Sequence, residues 1–361
     1  MKISLIVDYW YLFVVYAIAC GAISAFVAKF KWRDQGNWFV FGLVGGVIAI
    51  VILSVLRKLP NPPKNNLLLD ADNHLRSGWR VLLYFLTIIV VYYLLAVLAN
   101  LSHAVPPQSL LFLFYIAVLL ATVLMLKIVD KKRFVSVGFP LHAKVWKEIS
   151  LGFLMGAVMI GAVAGTEMAV GALRLSPRPG VGTILLVRNF GLSLIFFAYF
   201  AMGEELIFRG YPFQAFVQGM GPVGATIFMS LIFGLLHLAN PDAGVFSTTN
   251  TMLAGIFLSV AYLKTRTLYF PFGLHFAWNF VQSFILSLPV SGLLTNRTIF
   301  IPTDYGPNWL TGGRYGPEAG VGTTVIMVVA IGYLILEKRI KPAYDFAALN
   351  ARITADERQP K

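Results

Sequence analysis

Charge and cysteine are both scarce in this sequence. Only 12% of its 361 residues are charged and 58% are hydrophobic, whereas soluble proteins average about 25% charged and roughly 45 to 50% apolar residues. This composition excludes an ordinary water-soluble enzyme and a disordered chain. The single cysteine, Cys20, excludes an internal disulfide and any metal site built from several cysteines.

Long apolar runs take up most of the chain. A helix needs about 20 apolar residues to cross a bilayer, and the 32 glycines and 29 phenylalanines suit helices that pack in lipid. We therefore expect an all-α, polytopic membrane bundle. Because one of the candidate runs is short and another contains Arg188, we expect about 8–10 transmembrane helices. The candidate runs are 9–28, 38–56, 81–101, 109–126, 149–172, 184–202, 222–240, 249–263, 270–288 and 321–337.

The formal net charge of +13 would suggest nucleic acid in a soluble protein. Here the basic residues cluster in loops beside apolar runs, so we expect anionic membrane lipids as their partner and no nucleic acid. With the amino terminus in the cytoplasm, most of the 29 basic residues fall on the cytoplasmic side, although Lys29, Lys31 and Arg33 do not. The sequence therefore predicts an integral membrane protein with a cytoplasmic amino terminus.

Glycines recur at a spacing of four within three predicted spans, at 42 and 46, at 152 and 156, and at 161 and 165. Residues four apart share one helical face. Small residues at this spacing let two helix backbones approach closely, so each pair predicts a close helix crossing.

Ionisable groups at membrane depth are costly, about 2.5 to 3.5 kcal/mol each on insertion scales, and each one calls for an explanation. Glu167 and Arg188 fall at similar depth in neighbouring predicted spans, where we expect a structural ion pair. The carboxyl-terminal half adds two adjacent carboxylates, Glu204 and Glu205, with further polar residues in two later runs: His237, His275 and Asn279.

Helical spacing indicates which of these polar residues share a helical face. Glu205 and Arg209 are four apart and can form an ion pair on one face, whereas Glu204 projects about 100° away and is free to face a cavity. Phe233 shares a face with His237, and His275 shares one with Asn279. One carboxylate, two imidazoles and one amide can therefore converge from three helices.

Such a set suits hydrolysis of an amide bond. A buried glutamate can act as general base for a water molecule, with a histidine orienting that water. A second histidine and an asparagine can donate hydrogen bonds to the developing oxyanion.

The order Glu-Glu-xxx-Arg, Phe-xxx-His and His-xxx-Asn resembles the CAAX protease and bacteriocin-processing (CPBP, or Abi) family of intramembrane proteases, whose members include the type II CAAX prenyl endopeptidases. The motifs fall within 190–288, and the stretch Leu310 to Glu318 is similar to bacterial members. The resemblance implies accessory helices over 1–128, a protease core over 129–340 and a mobile cytoplasmic tail over 341–361. It also implies a bacterial plasma membrane.

The resemblance also implies residue roles. Glu204 is the catalytic glutamate, His237 its water-activating partner, and His275 with Asn279 the oxyanion-stabilising pair, while Glu205 and Arg209 form the supporting ion pair. Glu204, His237 and His275 are also an acceptable zinc set with water in the fourth place. Against zinc, no His-Glu-xx-His motif or its inverse occurs, so we favour a mechanism without a metal cofactor.

Three functions remain open at this point. The favoured one is an intramembrane endopeptidase that hydrolyses a membrane-associated peptide or membrane protein. The second is a non-catalytic binding or immunity protein with the same fold. The third, a secondary transporter, predicts inverted repeats, and the sequence shows none.

Overall fold

The computed structural model describes residues 3–61, 68–70, 74–102, 110–294 and 299–342, with side chains described from residue 14 onward. Nearly all of the tail predicted over 341–361 lies outside these residues. The described residues form twelve α-helices and two short β-strands. In chain order the elements are α1 (Ile3–Phe30), α2 (Gln35–Gly45), α3 (Val47–Val55), α4 (Ser77–Ser102), α5 (Leu110–Leu124), α6 (Val145–Ala169), β1 (Leu173–Pro177), α7 (Thr183–Phe208), α8 (Tyr211–Leu236), α9 (Val245–Thr265), α10 (Tyr269–Phe280), β2 (Phe300–Asp304), α11 (Asn308–Thr311) and α12 (Val321–Leu336).

Five stretches of the described residues are long and apolar enough to cross a membrane: Ser77–Leu101, Leu110–Asp130, Val145–Ala169, Thr183–Ala239 and Val245–Thr265. The stretch Thr183–Ala239 contains both α7 and α8. Two shorter apolar helices are Val14–Phe30 and Val321–Leu336. The predicted all-α membrane fold is confirmed, while the count of 8–10 spans and the cytoplasmic amino terminus stay predictions.

Glycine divides two of the predicted runs. The run at 38–56 is broken at Gly46 (φ 55°, ψ −137°), which separates α2 from α3. The helix α8 is kinked at Gly221 (φ 84°, ψ 166°) and Pro222, because glycine adopts positive φ readily and proline cannot continue the hydrogen-bond pattern of the preceding turn. The run at 222–240 is therefore only the second part of a longer helix.

The chain divides into two compact units. The first comprises Met1–Phe134 and Leu206–Ile232, and the second comprises Val135–Glu205 and Phe233–Lys361. The predicted border at residue 128 falls near the first change of unit, but Leu206–Ile232 belongs to the first unit. The division into an accessory region and a protease core stays a prediction.

Aromatic packing and a close helix crossing characterise the first unit. The ring of Phe216 lies 5.0 Å from that of Phe41 and 4.6 Å from that of Phe228, centroid to centroid. At Gly42 an added Cβ would lie 2.5 Å from the carbonyl oxygen of Cys20, so this glycine permits the predicted crossing of α1 and α2.

In the second unit, glycines bring α6 against α10. An added Cβ at Gly152 would lie 2.3 Å from the carbonyl oxygen of Phe270, and one at Gly156 would lie 2.4 Å from that of Leu274. The crossing predicted from this pair is confirmed. The prediction was wrong for Gly161 and Gly165, which have no atom within 4 Å of an added Cβ, because that part of α6 lies beyond the crossing.

The predicted ion pair between Glu167 and Arg188 was also wrong. Glu167 is 2% exposed and interacts electrostatically with Asp304 of β2, whereas Arg188 is exposed. Strand β2 pairs antiparallel with β1, which follows α6, so that Leu173 lies opposite Asp304. This pairing of distant segments brings a second carboxylate to Glu167, which the order of the apolar runs could not indicate.

The core of the second unit holds α10 in place. Buried side chains of α6, α9, α10 and α12 form one cluster that includes Ile160, Phe257, Leu274, Trp278 and Met327. Because α10 is packed on several sides, its polar residues have fixed positions relative to the neighbouring helices.

Candidate active site

The two adjacent glutamates lie in the last two turns of α7, which ends at Phe208. Phe197 and Ala201 are buried against Phe276 and Phe280 of α10, and Glu205 follows four residues after Ala201 on the same face. Its side chain is 0% exposed, whereas that of Glu204 is 22% exposed. The neighbouring carboxylate, Glu204, is therefore the one accessible to a substrate or a water molecule.

His275 of α10 lies between the two carboxylates. Its Nδ1 is 2.8 Å from Oε1 of Glu205, and its Nε2 is 3.7 Å from Oε2 of Glu204. A carboxylate accepts hydrogen bonds, so Nδ1 carries the hydrogen that it donates to Glu205. The second separation exceeds a hydrogen bond and is short enough for one water molecule to contact both groups.

The Phe233 ring lies close to the imidazoles of both His237 and His275. The ring of Phe233 is 4.6 Å from that of His237 and 6.4 Å from that of His275, centroid to centroid. Nδ1 of His237 donates to the carbonyl oxygen of Phe233 over 2.7 Å. Because that carbonyl can only accept, Nε2 of the neutral ring keeps a lone pair and can accept a hydrogen bond.

The structure adds one detail about the backbone at His237. The helix α8 ends at Leu236, and His237 begins a 3₁₀ turn over His237–Ala239. His237 thus lies in the turn that follows the helix, still inside the apolar stretch Thr183–Ala239. Its predicted proximity to Phe233, four residues earlier, is observed.

Some of the predicted site residues make direct polar contacts with each other, and others do not. Glu204, Glu205 and His275 are linked by polar contacts, and His237 is linked to His275 through Phe233. Asn279 is partly exposed one turn after His275 on α10. Arg209 follows the end of α7 and is 1% exposed, and its pairing with Glu205 stays a prediction, as do the catalytic roles.

A third carboxylate was missed by the sequence analysis. Oε1 of Glu318 accepts a hydrogen bond from Nε1 of Trp278 over 3.3 Å, and Oε2 accepts from the Ser291 hydroxyl over 3.0 Å and from the Ser291 amide. Burial raises the pKa of Glu318, while the donated hydrogen bonds and the electrostatic interaction with His237 act in the opposite direction. Its signal in the sequence was its position at the end of the stretch Leu310 to Glu318, which is similar to bacterial members of the family but gave Glu318 no role.

No metal cluster is formed in the part of the chain that the structure describes: no group of three or more His, Cys, Asp or Glu side chains is arranged to hold a metal ion. The alternative zinc set of Glu204, His237 and His275 is therefore not assembled there.

Comparison with known families decides the resemblance. Residues 186–281 match the family described as type II CAAX prenyl endopeptidase Rce1-like. The resemblance to the CAAX proteases is confirmed. The Rce1-like region contains all the predicted site residues, from Glu204 to Asn279, and it ends before Glu318. The description of the matched family names an endopeptidase.

A second similarity extends beyond the Rce1-like region. The chain is 24% identical over 190 residues to a protein of Bacillus subtilis (strain 168) that bears the name Uncharacterized protein YyaK. The match covers 52% of this chain and 63% of that relative. The chain thus spans less than two thirds of the relative's length, and the name of the relative assigns no substrate.

Proposed function

We propose that this protein is an intramembrane endopeptidase in which Glu204 activates a water molecule to hydrolyse a peptide bond. The observation that carries the proposal is the position of His275 between an accessible and a fully buried carboxylate, at 3.7 Å from Glu204 and 2.8 Å from Glu205. The site lies within the Rce1-like region, whose description names an endopeptidase.

In the proposed reaction, Glu204 removes a proton from the water as the water oxygen attacks the carbonyl carbon of the peptide bond. The proton on Glu204 is then delivered to the departing amine as the carbon–nitrogen bond breaks. The two products are a carboxylate and an amine. Nε2 of His237 accepts a hydrogen bond from the second O–H of the water and so orients it; that hydrogen stays on the attacking oxygen and is released when the product acid ionises.

His275 and Asn279 stabilise the oxyanion in this proposal. The charge of buried Glu205 lies next to Nδ1 of His275, so the ring can carry hydrogen on both nitrogens. Nε2 can then donate to the oxyanion together with the Asn279 amide. Glu205 thus acts through His275.

We further propose that the substrate is a membrane-associated peptide or a membrane protein that enters from the bilayer. The family description names prenylated CAAX sequences, and these are one candidate class. The bacterial plasma membrane, with the amino terminus in the cytoplasm and anionic lipids along the basic loops, is the proposed setting.

The test uses the full-length protein in lipid vesicles with two probes. The first is an internally quenched peptide that ends in a farnesylated CAAX sequence, with a non-lipidated copy. The second is a detergent extract of bacterial membrane proteins, in which new amino termini are labelled and identified by mass spectrometry. We expect new termini with the wild type, a loss of about 10³-fold or more in rate with Glu204→Gln, and an unchanged rate with the control Glu337→Gln.

Glu337 is a suitable control because it lies just after α12 and accepts a hydrogen bond from the Arg339 amide, away from the site. Cleavage that survives Glu204→Gln would overturn the mechanism. If no probe is cleaved, and the variants Glu204→Gln and His237→Ala keep the full biological effect of the wild type in cells, a non-catalytic binding or immunity function explains the protein better than a protease does.

Addition of the chelator 1,10-phenanthroline tests the metal question on the same probes. With a glutamate-activated water, we expect the cleavage rate to stay unchanged. Loss of cleavage that returns when Zn²⁺ is added back would favour the zinc alternative.

A further inference from the structure

Glu318 is held by side-chain donors from two different segments. Trp278, between the two motif residues of α10, donates to one carboxylate oxygen, and Ser291 donates twice to the other. These three donors satisfy a carboxylate that can only accept, which favours its charged form. Glu318 lies outside the Rce1-like region at 186–281.

The backbone around Glu318 is fixed as well. Glu318 lies in a short 3₁₀ turn over Pro317–Ala319, and its own carbonyl oxygen accepts a hydrogen bond from Asn250 Nδ2 over 2.8 Å. The same amide donates to the Gly320 carbonyl over 3.0 Å. Gly316 precedes the turn with φ 103°, a conformation that side chains other than glycine rarely adopt. The carboxylate is therefore positioned before any substrate binds.

The segment that holds Glu318 also packs against the loop that follows His237. An added Cβ at Gly292, next to Ser291, would lie 2.1 Å from the carbonyl oxygen of Pro241. Glu318 and His237 interact electrostatically. The carboxylate thus interacts with the same ring whose Nδ1 donates to the Phe233 carbonyl.

We propose that Glu318 is a positioning residue of the active site: its negative charge orients His237 and stabilises the positive charge that develops on the ring when Nε2 shares a proton of the attacking water. The relation is that of a carboxylate supporting a catalytic histidine in other hydrolases. This inference rests on the proposed function. If Glu318 had a purely structural role, it would only hold the loop at Ser291 against the turn before α12 through its hydrogen bonds.

A positioning role and a purely structural role of Glu318 predict different results for the variant Glu318→Gln. Glutamine keeps the size of the side chain and one acceptor oxygen but removes the charge. We expect kcat to fall about tenfold or more with KM unchanged, since the charge acts on the chemical step. The melting temperature should stay close to that of the wild type. Glu318→Asp, which keeps the charge, should recover part of the lost kcat, and Glu337→Gln should match the wild type.

The measurement uses the full-length protein in vesicles with whichever of the two probes, farnesylated peptide or membrane-protein extract, shows Glu204-dependent cleavage. Rates are taken over a concentration series. Unchanged kcat in Glu318→Gln overturns the inference. It is also overturned if Glu318→Gln and Glu318→Asp lose kcat and melting temperature together, since that is the pattern of a structural tie.

If Glu318→Gln does not fold, Ser291→Ala serves instead. It removes the hydroxyl donor but leaves the backbone amide in place, and we expect a smaller drop in kcat at constant KM. Unchanged kcat would overturn the inference here too. If the wild type cleaves no probe, the proposed function and this inference are both overturned. If cleavage depends on Glu204 but kcat is the same in the wild type, Glu318→Gln and Ser291→Ala, only the inference is overturned.

Discussion

Helix α10 presents polar groups to carboxylates from two different parts of the chain. His275 contacts Glu204 and Glu205 of α7, and three residues later Trp278 donates to Glu318 in the turn before α12. The first pair of carboxylates is adjacent in sequence and lies within the Rce1-like region. The second site is completed by a residue that lies outside the Rce1-like region.

The two sites also differ in the chemistry of their partners. At the first, a buried carboxylate meets an imidazole that can become charged, so an ion pair can form away from water. At the second, the carboxylate is held by an indole, a hydroxyl and a backbone amide, which are neutral donors. Charge removal should therefore be most costly at the first site, where hydrogen bonds between charged groups are about twice as strong.

After the loss expected for Glu204→Gln, the largest effect is expected for His275→Ala. If Nε2 of His275 donates to the oxyanion, its loss should lower kcat by about 10²- to 10³-fold, the usual consequence of removing one such donor. The measurement is the cleavage rate of the vesicle-bound protein at saturating probe. A loss below tenfold would mean that the site at Glu204 and Glu205 does not depend on the imidazole between them.

The second prediction concerns the coupling between Glu205 and His275. Glu205→Gln should lower kcat in the wild-type background, because it removes the charge next to Nδ1. In the His275→Ala background the same change should have little further effect, which gives a coupling energy of about 1 to 3 kcal/mol. Additive losses in this double-mutant cycle would show that Glu205 acts independently of His275.

The third prediction concerns how α10 is held. Gly156→Ala places a methyl group against the carbonyl of Leu274, next to His275, and should destabilise the protein by about 1 to 3 kcal/mol through overpacking. Thermal unfolding in detergent is the measurement. Gly161→Ala, on the same helix with open space around it, is the matched control. Equal melting temperatures for the two variants would contradict the close crossing of α6 and α10.

The sequence predicted the membrane fold and the proximity of Phe233 and His237, which depends on helical periodicity. The exposure of Glu204 and the burial of Glu205, adjacent on one helix, follow from the 100° between successive residues. It did not predict which glycine pair of α6 meets a neighbour, since both pairs have the same spacing and only the position of α10 distinguishes them. Glu318 was missed because its partners, Trp278 and Ser291, are 40 and 27 residues away, and only the folded turns join them.

The smallest predicted effect is a dependence of stability on pH that comes from Glu318. Burial raises the pKa of Glu318 above its ordinary value of 4.5, so the folded protein binds this proton more tightly than the unfolded chain does. The contribution of Glu318 to the free energy of unfolding is therefore fully present below about 4.5 and is lost as pH rises through the folded pKa. We expect the melting temperature of the wild type to fall relative to that of Glu318→Gln across this range, while Glu337→Gln follows the wild type. If the difference in melting temperature between the wild type and Glu318→Gln does not change with pH, the three hydrogen-bond donors fully compensate for the burial of Glu318. The environment of Glu318 would then stabilise a charged carboxylate as the site at His275 does, although its donors are neutral.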